Sequence, residues 1–179
     1  TTEVAILSLA DISVCESIRV AGDDMDEAII AHMKRTYNLM IGPQMAERIK
    51  IEIGSAAPFP EEKTMEVRGR DSASGLPRKV ILNSEEVRSA LASPLCQIQK
   101  AIRNTLEKTP PELSADLVHQ GIVLAGGGAL LRGLDKAIER EVELPTRVAD
   151  EPLLAVAHGT SKVLERLDLL SQILESGME

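Results

Sequence analysis

Residues Gly121 to Gly133 read GIVLAGGGALLRG, an apolar run that gives way to three consecutive glycines and then to a helical pattern. The stretch predicts a strand, a turn that faces a ligand, and a helix. Glycine has no Cβ, so its backbone N–H groups can approach a phosphate, a sugar or a base, and a helix that starts just beyond adds a partial positive charge. A nucleotide is therefore the first ligand that we expect at this turn.

Other interpretations of the glycine stretch remain open. A phosphate-binding P-loop ends in Gly-Lys-Ser/Thr, whereas residues 129–131 read Ala-Leu-Leu, which disfavours that motif. The dinucleotide-binding pattern comes closer, because Gly126 and Gly128 form G-x-G and Asp150 lies where a ribose-binding acid is expected. Leu131, however, replaces the third glycine of that pattern. A tight strand-to-helix turn without any ligand is the remaining interpretation.

Composition indicates a soluble globular protein. The 179 residues are 44% hydrophobic and 27% charged, which is enough for one large domain or two small ones. The net charge of −8 disfavours nucleic acid and anionic lipid as partners. Cys15 and Cys96 have neither metal-binding nor disulfide spacing, as is typical of a reducing cytoplasm, and no segment resembles a signal peptide or a membrane span. The histidines His32, His119 and His158 form no metal-binding pattern.

The spacing of apolar residues predicts an α/β fold. Strands are expected to form a hairpin over 1–9 and 12–20, two short strands over 64–70 and 78–82, and a strand over 146–148. Helices are expected from residue 23 to Gly42-Pro43, over 44–53, from residue 83 onwards with an interruption at Pro94, over 130–141, and after Pro152. The apolar stripe of the last helix continues through Leu167, Leu170 and Leu174.

Four further segments carry a specific resemblance. Together with the glycine stretch, and in the same order and spacing, the chain resembles the MreB family of bacterial actin homologues in AGDDMDEAI (21–29), AERIK (46–50), ELSADL (112–117) and VADEPL (148–153). The resemblance covers essentially the whole chain. It departs from the family pattern at Ala10-Asp11, at Cys15 and after Leu167, without touching these motifs.

The resemblance implies an actin-like (ribonuclease H-like) ATPase lobe, of α/β class, with an inserted smaller α+β subdomain. Residues 1–23 and 96–165 would form the discontinuous IIA core, residues 24–95 the inserted IIB subdomain, and residues 166–179 a C-terminal helix or tail. The chain begins in strand-like sequence without an initiator Met, so we expect a fragment that lacks the first lobe of the family.

The resemblance also implies the adenosine half of an ATP site. The turn against the base and ribose would be formed by Gly126, Gly127, Gly128 and Ala129, and the helix on the other side of the adenosine by Glu47, Arg48, Ile49 and Lys50. Residues three apart share a helix face, so Glu47 and Lys50 can face one ligand, although an exposed ion pair is the plainer interpretation. Thr1 matches the end of a second phosphate loop, where its hydroxyl could contact a phosphate or the attacking water. No other catalytic residue and no metal ligand maps onto the chain, so Mg²⁺ would be held mainly by the first lobe and the phosphates of ATP or ADP.

The implied function is that of an ATP-binding cytoskeletal filament subunit that organises cell-wall synthesis and rod cell shape. Its partners would be copies of itself, the cell-wall elongation machinery and membrane-associated shape proteins. The intact protein would be cytoplasmic and membrane-associated, with the membrane contact made by the first lobe, and this chain alone would be inactive as an ATPase. The alternatives are a phosphotransferase of the sugar-kinase type and an NAD-binding module in which Asp150 contacts a ribose.

Overall fold

The computed structural model describes residues 1–9 and 11–165 and shows a mixed α/β fold. In chain order the elements are β1 (Thr2–Ser8), β2 (Asp11–Ile18), α1 (Gly22–Tyr37), β3 (Leu39–Met40), α2 (Pro43–Ile53), β4 (Thr64–Asp71), β5 (Pro77–Asn83), α3 (Ser84–Glu107), α4 (Pro111–Gln120), β6 (Ile122–Leu124), a 3-10 helix (Gly127–Leu130), α5 (Leu134–Val142), β7 (Thr146–Val148) and α6 (Ala155–Glu165). The hairpin and the three short strands expected from the sequence are confirmed.

The strands form three small sheets. β1 and β2 are an antiparallel pair, β3, β4 and β5 form an antiparallel sheet in that order, and β6 and β7 are parallel. The 3-10 helix and α5 connect β6 to β7. This crossover is what two parallel strands require, since a tight turn cannot join them. Within the part of the chain that the structure describes, β1 pairs only with β2 and β6 only with β7, and residues of β1 and β6 line the same cleft.

Helix α3 runs through the middle of the core. Its N-terminus is capped as the sequence predicts, since the Asn83 side chain accepts a hydrogen bond of 2.8 Å from the Glu86 N–H. Its buried apolar stripe, at helical spacing, comprises Val87, Leu91, Leu95, Ile98 and Ile102. The stripe packs in one contiguous cluster with buried residues of α1, α2, β4, β5 and α5. This core fixes the positions of the elements that surround the candidate site.

The predicted interruption of α3 at Pro94 is wrong. The helix continues without a break from Ser84 to Glu107, and Pro94 is buried within it. A proline removes one backbone hydrogen bond and strains the preceding turn. Here the burial of the apolar stripe on both sides of Pro94 outweighs that cost, and sequence alone does not show how much of the stripe will be buried.

Two helix boundaries also differ from the expectation. α1 ends at Tyr37, not at Gly42-Pro43, because Asn38 adopts a left-handed conformation (φ 50°) and the next two residues pair with β4. After the glycines the regular helix begins at Leu134, not at residue 130, because Leu131 is extended and Gly133 is left-handed (φ 73°). In both places a short non-helical segment takes residues that helical periodicity alone would assign to a helix.

The proposed division into IIA and IIB segments stays a prediction. α3 crosses the expected boundary at residues 95 and 96 as one continuous helix, and the buried cluster contains residues from both sides of it. The last helix is described as α6, while the expected continuation through Leu167, Leu170 and Leu174 lies outside the described residues. None of the helices described is both long and apolar enough to span a bilayer.

Candidate nucleotide-binding site

The glycine turn begins where β6 ends and has a conformation that requires glycine. Gly126 has φ 83° and ψ 174°, a combination that is essentially restricted to glycine. Its N–H donates a hydrogen bond of 2.8 Å to the Pro152 carbonyl, and the Ala149 N–H donates one of 2.9 Å to the Leu124 carbonyl. The turn is thereby held by the segment that follows β7, which leaves its other side open.

The open side of the turn has room for a ligand. A Cβ added at Gly126 or at Gly128 would meet no atom of the described residues within 4 Å, whereas one at Gly127 would lie 3.4 Å from Leu153 Cδ2. By contrast, a Cβ at Gly133 would lie 3.0 Å from Ala57 Cβ, so that glycine is required by packing. The backbone of Gly126 and Gly128 therefore faces open space rather than a neighbouring element.

Helix α2 forms the wall opposite the turn. A cleft of about 550 Å³ separates them and is lined by Glu47, Lys50, Gly127 and Gly128, among others. The Lys50 Nζ donates hydrogen bonds to Asp26 Oδ2 (2.9 Å) and to the Gly22 carbonyl (3.0 Å). An ammonium group has three N–H donors, so one remains for a ligand in this cleft.

The ion pair of Lys50 with Asp26 was missed by sequence reasoning. The two side chains are only 17% and 13% exposed, and they join α2 to the N-terminal part of α1. Asp26 Oδ1 is buried and has no hydrogen-bond partner among the described residues, so Lys50 carries the main compensation of that carboxylate. Asp26 lies inside the 21–29 motif, but nothing local in the sequence identifies its partner 24 residues further on.

Two of the four residues predicted on α2 lie away from the cleft. Ile49 is 0% exposed and packs in the core, and Arg48 forms an exposed ion pair with Glu52 (Nε to Oε1, 2.6 Å). The reason is that successive residues of an α-helix are rotated by about 100° around its axis, so one face cannot hold four in a row. Glu47 and Lys50, three residues apart, are the pair whose side chains line the cleft.

A second cleft adjoins the first. It has a volume of about 660 Å³, lies between β1 and β6, and is lined by Thr1 and by all four predicted residues of the glycine turn, Gly126 to Ala129. The two clefts share Gly22, Met25, Gly127 and Gly128, so they meet at the glycine turn and at the start of α1. The structure thus places Thr1, the glycine turn, Glu47 and Lys50 around one continuous depression.

The loop after α2 supports the far end of the glycine turn. The Ala56 N–H donates a hydrogen bond of 2.9 Å to the Arg132 carbonyl, beside a bridge between Ser55 and Arg132. Arg88 of α3 holds the same loop by donating to Ser55 Oγ (3.1 Å) and to Glu62 Oε1 (2.6 Å). The hydrogen bonds from Arg88 and Ser84 lower the pKa of Glu62 below its usual value.

The NAD interpretation has little support in this geometry. Asp150 is exposed and lines neither cleft. The glycines open a 3-10 helix, whereas the dinucleotide pattern requires an α-helix whose N-terminus faces the pyrophosphate. Over the residues described, no group of three or more His, Cys, Asp or Glu side chains is arranged to hold a metal ion.

The fold and the cleft together define the class of protein. The structure of the MamK double helical filament superposes with a TM-score of 0.72 at 22% identity, over 85% of this chain and 46% of the MamK chain, and shows the actin-like fold. The crystal structure of MreB5 of Spiroplasma citri bound to ADP superposes with a TM-score of 0.89 at 39% identity, over 92% of this chain and 50% of that one. The lobe is therefore actin-like.

Within that class, sequence comparison identifies the family. Residues 1–172 match the family model described as MreB/Mbl protein, and the chain belongs to this family. It is 49% identical over 169 residues to the cell shape-determining protein MreB of Escherichia coli K12, covering 94% of this chain and 49% of that protein. It is 44% identical over 170 residues to the cell shape-determining protein Mbl of Bacillus subtilis, covering 95% and 51%. The chain thus spans about half the length of the curated relatives that it matches.

Proposed function

We propose that this chain binds an adenine nucleotide, ATP or ADP, in the two adjoining clefts, as the adenosine half of a filament subunit that organises cell-wall synthesis and rod shape. The observation that carries the proposal is the bare backbone of the glycine turn: Gly128 lies across a cleft of about 550 Å³ from Glu47 and Lys50, and Gly126 lines the larger cleft beside it. The S. citri MreB5 structures, one bound to ADP and one to AMPPNP, support adenine nucleotide as the ligand class.

Charge in the smaller cleft supports one orientation of the nucleotide. Asp23 and Glu47 line it with Lys50 and Arg132, and Asp26 pairs with Lys50, so the three carboxylates outweigh the two cations and a phosphate there would meet no net attraction. A ribose suits this environment better, because Glu47 can accept hydrogen bonds from its hydroxyls. The phosphates would then lie toward the larger cleft, near the N–H groups of Gly127 and Gly128 and the Thr1 hydroxyl.

Binding is the role that these residues can perform. Phosphoryl transfer requires groups that position the metal ion and the attacking water, and Thr1 is the one candidate for such a contact that we assign on this chain. Mg²⁺ would accompany the phosphates. We therefore propose that the chain alone binds ATP weakly and hydrolyses it negligibly, and that ATPase activity belongs to the longer proteins of the family.

The cellular role is proposed from the same family membership. The subunit would assemble with copies of itself, and its partners would be the cell-wall elongation machinery and membrane-associated shape proteins. The proposed location is the cytoplasm, at the membrane. The solved MamK filament is consistent with assembly by this fold, and the cell shape-determining relatives are consistent with the cell-wall role.

Calorimetric titration of the 179-residue chain with ADP, ATP and NAD⁺ tests the proposal. We expect the adenine nucleotides to bind and NAD⁺ to bind more weakly. Glu47→Ala should weaken ADP binding, whereas Arg48→Ala, on the next residue of the same helix but outside the cleft, should not. Equal loss in both variants, or preference for NAD⁺, would contradict the proposed site. Sedimentation of the same samples with and without ATP tests self-association.

A further inference from the structure

Arg132 is a cation of the smaller cleft that lies near the end of the glycine stretch 121–133 and has no role in the proposed site. It follows the glycine turn and lines the cleft together with Lys50. Lys50 is paired with Asp26, whereas Arg132 forms no salt bridge to any carboxylate that the structure describes. Arg132 is half-buried as a residue, and a guanidinium without an acidic partner at the edge of a ligand-sized cleft is available to a ligand.

The side chain of Arg132 is held in place from behind. Its Cζ lies over the Phe59 ring, 5.1 Å from the centroid, and its backbone carbonyl is fixed by the Ala56 N–H. Phe59 belongs to the loop that Arg88 ties to α3 through Ser55 Oγ and the Ala57 carbonyl. Arg132 therefore has a defined position before any ligand binds, which lowers the entropy that binding would cost.

The residues around Arg132 indicate which part of a nucleotide it would contact. The cleft is lined by three exposed apolar side chains: Leu130 (57% exposed), Ile51 (70%) and Leu153 (66%). They form an apolar surface that no other described residue covers. Asp23 and Glu47 line the same cleft and offset the positive charge of Arg132, so a phosphate at this place would gain no net attraction. A planar, uncharged heterocycle satisfies both conditions, since it covers apolar surface and stacks on a guanidinium plane.

We propose that Arg132 binds the purine base of the nucleotide by stacking on it, and that Phe59 is a positioning residue that holds the guanidinium for that contact. Phe59 lies behind Arg132 and does not itself line the cleft. The inference rests on the proposed function, because it deepens the assignment of the same site by naming the residue that recognises the base.

The test compares a charged and an uncharged probe. ADP and adenosine are titrated into the 179-residue chain and into Arg132→Gln, Arg132→Lys, Phe59→Leu and the control Arg48→Gln, with a thermal melt of each to confirm folding. Arg132→Gln should weaken both probes by the same factor, about tenfold, because the contact is to the base. Arg132→Lys should restore little of this loss, since lysine has the charge without the plane. Phe59→Leu should weaken both probes about threefold, and Arg48→Gln should change neither.

The outcomes distinguish a failure of the Arg132 contact from a failure of the nucleotide site as a whole. If Arg132→Gln weakens ADP and leaves adenosine unchanged, Arg132 contacts a phosphate and the inference is overturned while the nucleotide site stands. The inference is likewise overturned if both probes bind Arg132→Gln as tightly as the unaltered chain, or if Arg132→Lys fully restores binding. If the unaltered chain binds neither probe, the proposed function fails and the inference fails with it.

Discussion

Substitution of Gly128 by alanine separates ligand contact from stability at the glycine turn. A Cβ at this position meets no described atom within 4 Å, and the residue is not left-handed, so the methyl group would project into the cleft without a clash. Alanine also reduces the conformational freedom of the unfolded chain. We expect the free energy of unfolding to stay the same or to rise by up to about 1 kcal/mol.

The same methyl group would occupy space that the ligand needs. Inserting one methyl into a packed contact costs about 1–3 kcal/mol, which corresponds to a loss in affinity of roughly 5- to 150-fold. Gly126→Ala should differ, because φ 83° with ψ 174° strains alanine by about 1–3 kcal/mol whether or not a ligand is bound. We therefore expect Gly126→Ala to lower the melting temperature by roughly 2–4 °C for each kcal/mol, and Gly128→Ala not to lower it.

The assay is a thermal melt followed by circular dichroism, with an ADP titration of the same samples. Gly75→Ala is the matched control for backbone strain, because Gly75 is left-handed (φ 74°) and lies at the β4–β5 turn, outside both clefts. It should destabilise the chain without changing ADP affinity. If Gly128→Ala melts like the unaltered chain and binds ADP equally well, the glycine turn does not face the ligand and the reasoning is refuted.

Three further predictions concern the supports of the site. Lys50→Met should lower the free energy of unfolding by about 3 kcal/mol in a urea titration, because it leaves the Asp26 carboxylate unpaired, and adding Asp26→Asn should recover part of the loss. Glu62 has a lowered pKa, so its stabilising effect is present above the usual value of 4.5 and is lost as the pH falls through the lower folded-state pKa. The melting temperature should therefore fall more steeply between about pH 6 and about pH 3 in the unaltered chain than in Glu62→Gln, and parallel curves would contradict this. Gly133→Ala should cost about 2 kcal/mol in the urea titration, from its φ of 73° and its contact with the loop after α2, and an unchanged midpoint would contradict the assigned packing role.

The parts of the fold that sequence predicted are those set by local signals. The helix start at Asn83 follows from a side chain that caps its own turn, and the end of α2 at Gly54 follows from a residue that favours leaving the helix. Whether the helix continues through Pro94 cannot be predicted from local signals, because it depends on how much of α3 is buried. The end of α1 cannot be predicted from local signals either, since Leu39 pairs with Asp71 of a distant strand instead of extending the helix.

Some parts of the candidate site can likewise be predicted from local sequence, and others cannot. The glycine turn and the i, i+3 spacing of Glu47 and Lys50 are visible in the sequence, and the structure places them across one cleft. The partner of Lys50 and the support of Arg132 are not visible, because each joins segments distant in the chain through a contact that only the folded core creates. Family resemblance supplied the segment 47–50 as a block, and the geometry reduced it to the two residues that one helix face can present.

The double role of Lys50 determines where the site can be tested cleanly. Two of its three N–H donors hold α1 against α2, so a variant at Lys50 changes the shape of the cleft as well as a ligand contact. Loss of binding in such a variant would not distinguish a direct contact from a displaced wall. Glu47 forms no ion pair within the described part of the chain, and Gly128 has no side chain to lose, so variants at these two positions alter the cleft surface and leave its supports intact. Assignment of the nucleotide site should therefore rest on Glu47 and Gly128, with Lys50 reserved for measurements of stability.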